Sequence, residues 1–243
     1  MERRVFSVID NVRLNETVFD LRLAGDTSGI TAPGQFVDLD VDGLYLRRPI
    51  SICDYDEGSI RLVYKVVGKG TVIMSAFGPG KKIDLLLPLG NGFDRNKSGD
   101  RPVLIGGGVG VPPLLALAKD LMSKGKDVKV ALGFNSKSDI ILYRDFCEVV
   151  GEKNVFVSTV DGSFGKKGFV TAIVPDGSFC YACGPLPMLK SISEKIKMRA
   201  ELSLESRMGC GFGACMGCSI MTKEGAKRVC KEGPVFDKEV LIW

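Results

Sequence analysis

The chain has 243 residues, of which 45% are hydrophobic and 26% are charged, and its formal net charge is +4. These values predict a globular protein of one large or two moderate domains and give no reason to expect nucleic-acid binding. No membrane helix and no signal peptide are predicted, because the longest uncharged stretch (102–118) is broken by glycines and prolines and the N-terminus lacks an apolar core, which indicates a cytoplasmic protein.

The first hundred residues read as short, often alternating strands separated by Asn, Asp, Gly and Pro turns. The predicted strands are 4–10, 17–23, 35–41 and 59–67. Such a succession is typical of a small antiparallel barrel or sandwich, and we predict a barrel. The polar, glycine-containing stretch 91–101 is predicted to be the linker that follows it.

After the linker, strands alternate with helices, which indicates a parallel sheet with helices on its faces. Strands are predicted over 102–106, 127–134, 154–160 and 178–184, and helices over 112–125, 139–151 and 185–199. The tail is rich in Cys and Gly and is short for an independent core, so a metal is expected to stabilise it. We therefore predict a barrel domain (1–98), an α/β domain (99–200) and a small C-terminal segment (201–243).

The tail contains four cysteines in the spacing C-x4-C-x2-C-x11-C, formed by Cys210, Cys215, Cys218 and Cys230. This is the plant-type [2Fe–2S] arrangement, in which a tight loop supplies three thiolates and a returning segment supplies the fourth. A structural zinc site would usually show paired knuckles, and only Cys215 and Cys218 form such a pair. Iron–sulfur binding is also compatible with the absence of histidine, which excludes Ser-His-Asp and Cys-His nucleophiles built from this chain.

The other four cysteines give weaker signals. Cys53 and Cys147 are expected to be small core residues. Cys180 and Cys183 form a C-x-x-C, but they lie on or beside a predicted strand rather than at a helix start, which disfavours a redox dithiol.

Two segments of the barrel region suit a flavin phosphate. RRPISI (47–52) offers a forked guanidinium and a hydroxyl, and VYKVVGKGT (63–71) offers glycine N–H groups. Each segment alone is weak evidence, because an Arg-Pro next to a strand is usually a solvated edge. The candidate flavin-binding residues are Arg48, Pro49, Ile50, Ser51, Val63, Tyr64, Lys65, Gly70 and Thr71.

The segment IGGGVGVPPL (105–114) follows a predicted strand and opens a predicted helix, so Gly107, Gly108 and Gly110 are candidates for approach to a dinucleotide. It departs from the G-x-G-x-x-G pattern, and no acidic ribose ligand follows at the usual distance, so a structural strand–helix connection stays open. NSKS (135–138) could meet a 2′-phosphate or be a solvated loop, which leaves NAD and NADP undecided.

The order of these segments, followed by C-G-P-x-P-M at a later strand end, resembles the ferredoxin–NADP reductase superfamily. The resemblance implies that Arg48 and Ser51 bind flavin and that Cys183, Gly184 and Pro185 face the nicotinamide. Ile50 stands where that superfamily often has an aromatic residue, and no stacked C-terminal aromatic residue can be identified.

SLESRMGCGFGACMGC, RVCKEGPVF and CGPLPMLK together look like the electron-transfer subunits of the class 1B, NAD+-dependent dihydroorotate dehydrogenases, over essentially the whole chain. That resemblance implies FAD, a [2Fe–2S] cluster and NAD in this chain. It further implies an FMN-containing catalytic partner that oxidises dihydroorotate in pyrimidine synthesis, and a heterotetramer of two of each subunit. The alternative is a small FAD/[2Fe–2S] subunit of another NAD(P)H redox complex, of the bifurcating transhydrogenase, sulfhydrogenase or sulfite reductase type.

Overall fold

The computed structural model describes all 243 residues. Its N-terminal half is a closed barrel of six antiparallel strands in the order β1-β2-β5-β4-β3-β6, with a short helix α1 (Lys69–Ser75) between β5 and β6. The strands are β1 (Glu2–Arg13), β2 (Val18–Ala24), β3 (Phe36–Leu39), β4 (Arg48–Tyr55), β5 (Ser59–Lys65) and β6 (Lys82–Leu89). The prediction of an antiparallel barrel is confirmed.

The barrel closes because apolar side chains alternate along its strands. In β6, Ile83, Leu85, Leu87 and Leu89 are buried, and the residues between them are more exposed. The sequence analysis missed β4 and β6 as strands and α1 as a helix.

The second half is a seven-stranded sheet in the order β10-β9-β8-β7-β11-β12-β15, and all of its pairings are parallel except that of β15. Its strands are β7 (Pro102–Gly107), β8 (Lys129–Phe134), β9 (Val155–Thr159), β10 (Lys166–Lys167), β11 (Phe179–Cys183), β12 (Ala200–Ser203) and β15 (Val235–Asp237). Its helices are α2 (Pro113–Ser123), α3 (Tyr143–Val150) and α4 (Leu186–Lys195). The predicted α/β alternation is therefore confirmed. None of the helices is both long and apolar enough to cross a bilayer.

The C-terminal segment leaves the sheet after β12 and returns to it at β15. Between them lie a loop carrying three cysteines and a two-stranded hairpin of β13 (Ser219–Thr222) and β14 (Gly225–Arg228). β15 then pairs antiparallel with β12, and Ser203 lies opposite Val235. The excursion from the sheet therefore begins and ends at neighbouring strands.

The barrel and the sheet share a hydrophobic core. Val18, Cys53 and Val63 of the barrel pack in one buried cluster with Leu114 and Leu117 of α2. Because this core holds the two halves together, the clefts beside it have walls from both.

Candidate flavin, dinucleotide and cysteine sites

The first cavity lies between the barrel and the sheet and encloses about 370 Å³. β4 and β5 are antiparallel neighbours, so the two predicted flavin-binding segments meet in one wall. The predicted residues that line this cavity are Arg48, Pro49, Ile50, Ser51, Val63, Tyr64, Lys65, Thr71 and Cys183. Val63 and Tyr64 are almost fully buried and present little surface to it.

Gly70 does not line the cavity, but it makes room for a residue that does. A Cβ atom built on Gly70 would lie 2.1 Å from Nε of Arg48. The Arg48 guanidinium also donates to the carbonyl oxygens of Leu46 (2.6 Å) and Arg47 (3.1 Å). These contacts fix a forked donor at the cavity wall, a geometry that suits a phosphate.

The second cavity encloses about 570 Å³ at the carboxyl ends of the parallel strands. Gly107 and Gly108 follow β7 in its wall, and Pro185 precedes α4. Lys65 and Val109 line both cavities. The two cavities are therefore neighbours, and a group bound in one lies close to a group bound in the other.

Three predicted glycines create a close approach between two strand ends. A Cβ on Gly110 would lie 2.4 Å from the Gly184 backbone, and a Cβ on Gly107 would lie 2.4 Å from the sulfur of Met188. Gly110 and Gly184 themselves lie behind the cavity wall. Their packing brings the end of β7 against the end of β11, and so places Cys183 at one cavity and Pro185 at the other.

The four tail cysteines stand as two pairs. The Sγ atoms of Cys218 and Cys230 are 3.2 Å apart, and the thiols of Cys210 and Cys215 contact each other. No three His, Cys, Asp or Glu side chains gather around one point suited to a single metal ion. Four sulfurs in two pairs form a donor set that fits a cluster of two irons, in which each iron takes two thiolates.

Backbone N–H groups point at these sulfurs. The N–H groups of Ala214 and Cys215 donate to Sγ of Cys210 at 3.2 and 3.4 Å, and that of Cys230 donates to Sγ of Cys218 at 3.4 Å. Burial alone would raise the pKa of Cys210, but the N–H groups of Cys215 and Phe212 outweigh it and lower that pKa to about 6. The site thus favours a thiolate, which is the form that binds metal.

The second pair behaves differently. Burial, together with the neighbouring Cys218 thiol, raises the pKa of Cys230 to about 12. Two thiolates in contact repel each other, so a cation between them would release their protons.

The remaining cysteines form no further site. Burial raises the pKa of Cys53 and of Cys180, and both are fully enclosed. Cys180 and Cys183 belong to different hydrophobic clusters, which lie on opposite faces of the sheet. They do not form a dithiol pair. Cys147 is half-buried on α3, away from the tail cysteines.

The sequence analysis missed two acidic residues in the cavity walls. Glu205 follows β12 in the wall of the first cavity, and burial raises the pKa of its carboxyl although much of the residue is open to the cavity. Asp139 lines the second cavity and accepts hydrogen bonds from the N–H and hydroxyl of Ser136 at 3.0 and 2.9 Å. Both follow parallel strands at their carboxyl ends, a position that could have identified them.

Asp38 of β3 is a third acidic residue that the sequence analysis missed. It is 2% exposed, and its Oδ1 has no hydrogen-bond partner. Burial, partly opposed by Arg47, raises its pKa to about 7. A Cβ on Gly211 would lie 2.4 Å from its Oδ2. The barrel thus touches the cysteine loop directly.

Comparison with known proteins adds family relationships to this geometry. Residues 205–242 match the iron–sulfur cluster binding domain of dihydroorotate dehydrogenase B. The dihydroorotate dehydrogenase B (NAD(+)) electron transfer subunit of Geobacillus sp. (strain WCH70) is 42% identical, over 97% of this chain and 97% of that protein. The corresponding subunit of Bacillus pumilus (strain SAFR-032) is 38% identical, over 98% of each.

Solved structures agree on the fold. An NADH-dependent reduced ferredoxin–NADP oxidoreductase, described in work on flavin-based electron bifurcation, is 31% identical with a TM-score of 0.87, covering 98% of this chain and 90% of that one. The ferredoxin reductase of a carbazole 1,9a-dioxygenase, at 22% identity and a TM-score of 0.69, covers 79% and 64% and shows the fold alone.

The matched iron–sulfur domain and the reductase fold support FAD, a [2Fe–2S] cluster and NAD as cofactors of this chain. The alternative of a small subunit from another NAD(P)H redox complex is not favoured, since the relatives with higher identity carry a different name. The chain belongs to the electron transfer subunits of dihydroorotate dehydrogenase B (NAD+), a family of oxidoreductase components with the fold of the ferredoxin–NADP reductases.

Proposed function

We propose that this chain conducts electrons from an FMN-containing catalytic subunit, which oxidises dihydroorotate in pyrimidine synthesis, to NAD+. The observation that carries the proposal is the order of the three sites. The flavin cavity shares Lys65 with the dinucleotide cavity, and Glu205 and Met208 in its wall belong to the segment that continues into the cysteine loop. The site between the other two is thus the one suited to a flavin.

In this arrangement Arg48 and Ser51 hold the phosphate and ribityl end of the FAD, and the buried Val63 and Tyr64 form the floor beneath it. Gly107 and Gly108 let the dinucleotide backbone approach the end of β7. Cys183 borders the contact between the two cavities. A flavin held by these residues would supply the conversion between two-electron transfer with NAD and one-electron transfer with the cluster.

The preference for NAD over NADP has an electrostatic basis in this arrangement. The Asp139 carboxylate in the wall of the second cavity can accept a hydrogen bond from a ribose hydroxyl and repels a phosphate. Cys210 and Cys215 would hold one iron, and Cys218 and Cys230 the other. Residues 1–98, 99–200 and 201–243 are proposed as the flavin, dinucleotide and cluster units, with β12 and β15 anchoring the third unit to the sheet.

The partner subunit is proposed to dock over the cysteine loop. Cys215 is exposed, and the neighbouring Phe212 and Met216 are 41% and 52% exposed. Apolar side chains beside an exposed ligand suit a contact that brings a second redox centre close while excluding water. The heterotetramer of two of each subunit and the cytoplasmic location stay predictions from the sequence.

The experiment is to co-express the chain with a dihydroorotate-oxidising FMN subunit and to measure reduction of NAD+ by dihydroorotate. Cys215→Ser is expected to lose the iron and this activity while it keeps FAD, and the matched control Cys147→Ser is expected to keep all three. A folded, cofactor-loaded pair that fails to reduce NAD+ with dihydroorotate would overturn the assignment of the partner. A colourless chain containing one zinc would overturn the cluster.

A further inference from the structure

Arg228 lies two residues before Cys230 and connects the returning segment to the cysteine loop. Its guanidinium NH1 donates to the carbonyl oxygen of Gly213 at 2.7 Å. Gly213 stands in the loop between Cys210 and Cys215, so this bond joins the loop to the segment that supplies the fourth thiolate.

The Arg228 guanidinium is also held by the carboxylate of Glu232. Its Nε donates to Oε2 of Glu232 at 3.0 Å, its NH2 contacts Oε1, and the Arg228 backbone N–H donates to Oε2 at 2.7 Å. A planar fork held at two points has little freedom, which makes Arg228 a rigid support.

Gly213 is the residue of the cysteine loop that Arg228 holds, and its own geometry keeps it close to the returning segment. Its φ of +92° lies in the left-handed region, and a Cβ there would lie 2.6 Å from Cδ of Lys231. Its N–H group lies beside the Cys230 sulfur. Gly213 therefore contacts the returning segment through its carbonyl, its N–H and its Cα.

We propose that Arg228, held by Glu232, is a positioning residue that fixes the cysteine loop at Gly213 and so sets the spacing between the two thiolate pairs before the cluster is inserted. The inference rests on the proposed cluster site and adds to it the element that pre-organises the ligands. Pre-organised ligands bind a metal centre faster and in one geometry.

The same hairpin offers a matched control. Lys227 pairs with Glu224 at 3.4 Å, and neither residue hydrogen-bonds to the cysteine loop. Lys227→Gln and Arg228→Gln each remove one positive charge from adjacent positions. Arg228→Lys keeps the charge but loses the fork, which separates positioning from electrostatics.

The test is anaerobic reconstitution of the full chain with iron and sulfide, followed by iron content, the EPR spectrum of the reduced cluster and its midpoint potential. Arg228→Gln and Arg228→Lys are both expected to lower the iron bound at a fixed time at least two-fold, and to broaden or shift the EPR signal. Lys227→Gln is expected to match the wild type. Flavin content and circular dichroism report whether each variant is folded.

Normal loading and an unchanged EPR spectrum in folded Arg228→Gln would overturn the inference. A wild-type spectrum in Arg228→Lys, with a change only in Arg228→Gln, would also overturn it, because charge alone would then be responsible. If Arg228→Gln fails to fold, Glu232→Gln decides: slower loading supports the inference, and wild-type loading overturns it. A wild-type chain that binds no cluster overturns the proposed function as well, whereas a loaded wild type with unaffected variants overturns only this inference.

Discussion

Glu205 shows how one side chain connects the sheet, the flavin cavity and the cysteine segment. It follows β12, lines the cavity, and lies five positions before the first tail cysteine. None of the ion pairs or side-chain hydrogen bonds of the chain involves its carboxyl, so burial acts on its pKa without opposition. A carboxyl group in that setting would be suited to exchange a proton with a flavin bound in this cavity.

We expect the stability contribution of Glu205 to depend on pH with a defined sign. Its pKa is raised in the folded state above 4.5, so the unfolded chain releases this proton first as the pH rises. From about that pH upward the wild type should lose stability relative to Glu205→Gln. Chemical denaturation of both proteins over a pH series that starts below the ordinary Glu pKa of about 4.3 measures the difference.

The control is Glu224→Gln, since the side chain of Glu224 is 59% exposed. It removes a negative charge that does not line the cavity, so it measures how the loss of one carboxylate alone affects unfolding. A pH-independent difference for Glu205→Gln would contradict the raised pKa.

At the scale of elements, the turns after β7 and β11 illustrate what the sequence could predict. The glycines of 105–114 correctly indicated a strand–helix turn, because a run of Gly after an apolar strand has few other uses. The sequence could not predict which of these glycines lines the cavity and which packs inside the protein. That depends on the position of Gly184, more than seventy residues later in the chain. The same limit applies to β15, whose partner β12 is fixed only in three dimensions.

The missed elements have local causes. In β6 the three consecutive leucines Leu85–Leu87 obscure the alternating pattern that predicts a strand. In α1 the glycine at position 70 favours a loop over a helix in a prediction from sequence. β4 begins with Arg-Pro, which was interpreted as a ligand contact rather than as the start of a strand. Asp38 was missed because a charged residue in an alternating strand is ordinarily expected to face solvent.

The turn after β7 gives a prediction with an internal control. Gly110→Ala would place a Cβ against the Gly184 backbone, which cannot yield, so we expect a loss of about 3 kcal/mol or more of stability. Gly108 has a φ of +53° and open space around it, so Gly108→Ala should cost only about 1–2 kcal/mol through backbone strain. Urea denaturation of the two variants measures this order.

Among variants that fold, we expect Gly108→Ala to weaken NADH binding more than Gly110→Ala does. Gly108 lines the dinucleotide cavity, so its variant is expected to weaken NADH binding more than its loss of stability suggests. Equal stability of both variants, or unchanged NADH binding by Gly108→Ala, would show that the two glycines do not have these separate roles.

At the scale of the whole molecule, the barrel and the α/β half are joined by ion pairs as well as by the shared core. Arg61 of β5 pairs with Asp20 of β2 at 2.8 Å and reaches Asp145 of α3. The pair with Asp20 lies within the barrel, and the pair with Asp145 crosses to α3; the exposed fractions of the Arg61 and Asp145 side chains are 14% and 31%. Lys119 of α2 adds a more exposed pair to Asp54 of β4. These ion pairs connect β4 and β5 of the barrel to α2 and α3.

Removing Arg61 should therefore destabilise the molecule and disturb its cofactor site. Arg61→Met would leave two carboxylates without their counter-ion, and we expect a cost of about 3–5 kcal/mol. Lys126→Met, which breaks an exposed pair with Asp100, should cost less than about 1 kcal/mol. Thermal or urea unfolding compares the two.

Flavin retention during gel filtration provides a second measurement of the same prediction. Arg61→Met is expected to lose FAD more readily than Lys126→Met, because the cavity walls come from both halves. If Arg61→Met retains wild-type stability and flavin, the shared core alone holds the two halves together.

The pairing of Ser203 with Val235 has a consequence for how such a protein can be cut and rejoined. Because the excursion starts and finishes at adjacent positions, a tight turn could bridge the gap and leave the rest of the sheet in place. The shortened chain would keep the barrel and the sheet. It would lack the cysteine segment that is proposed to connect the flavin to a partner. It would also lack the part of the cavity wall formed by residues 204–208 and by Pro234, so its flavin would be open to solvent and to oxidants of small size.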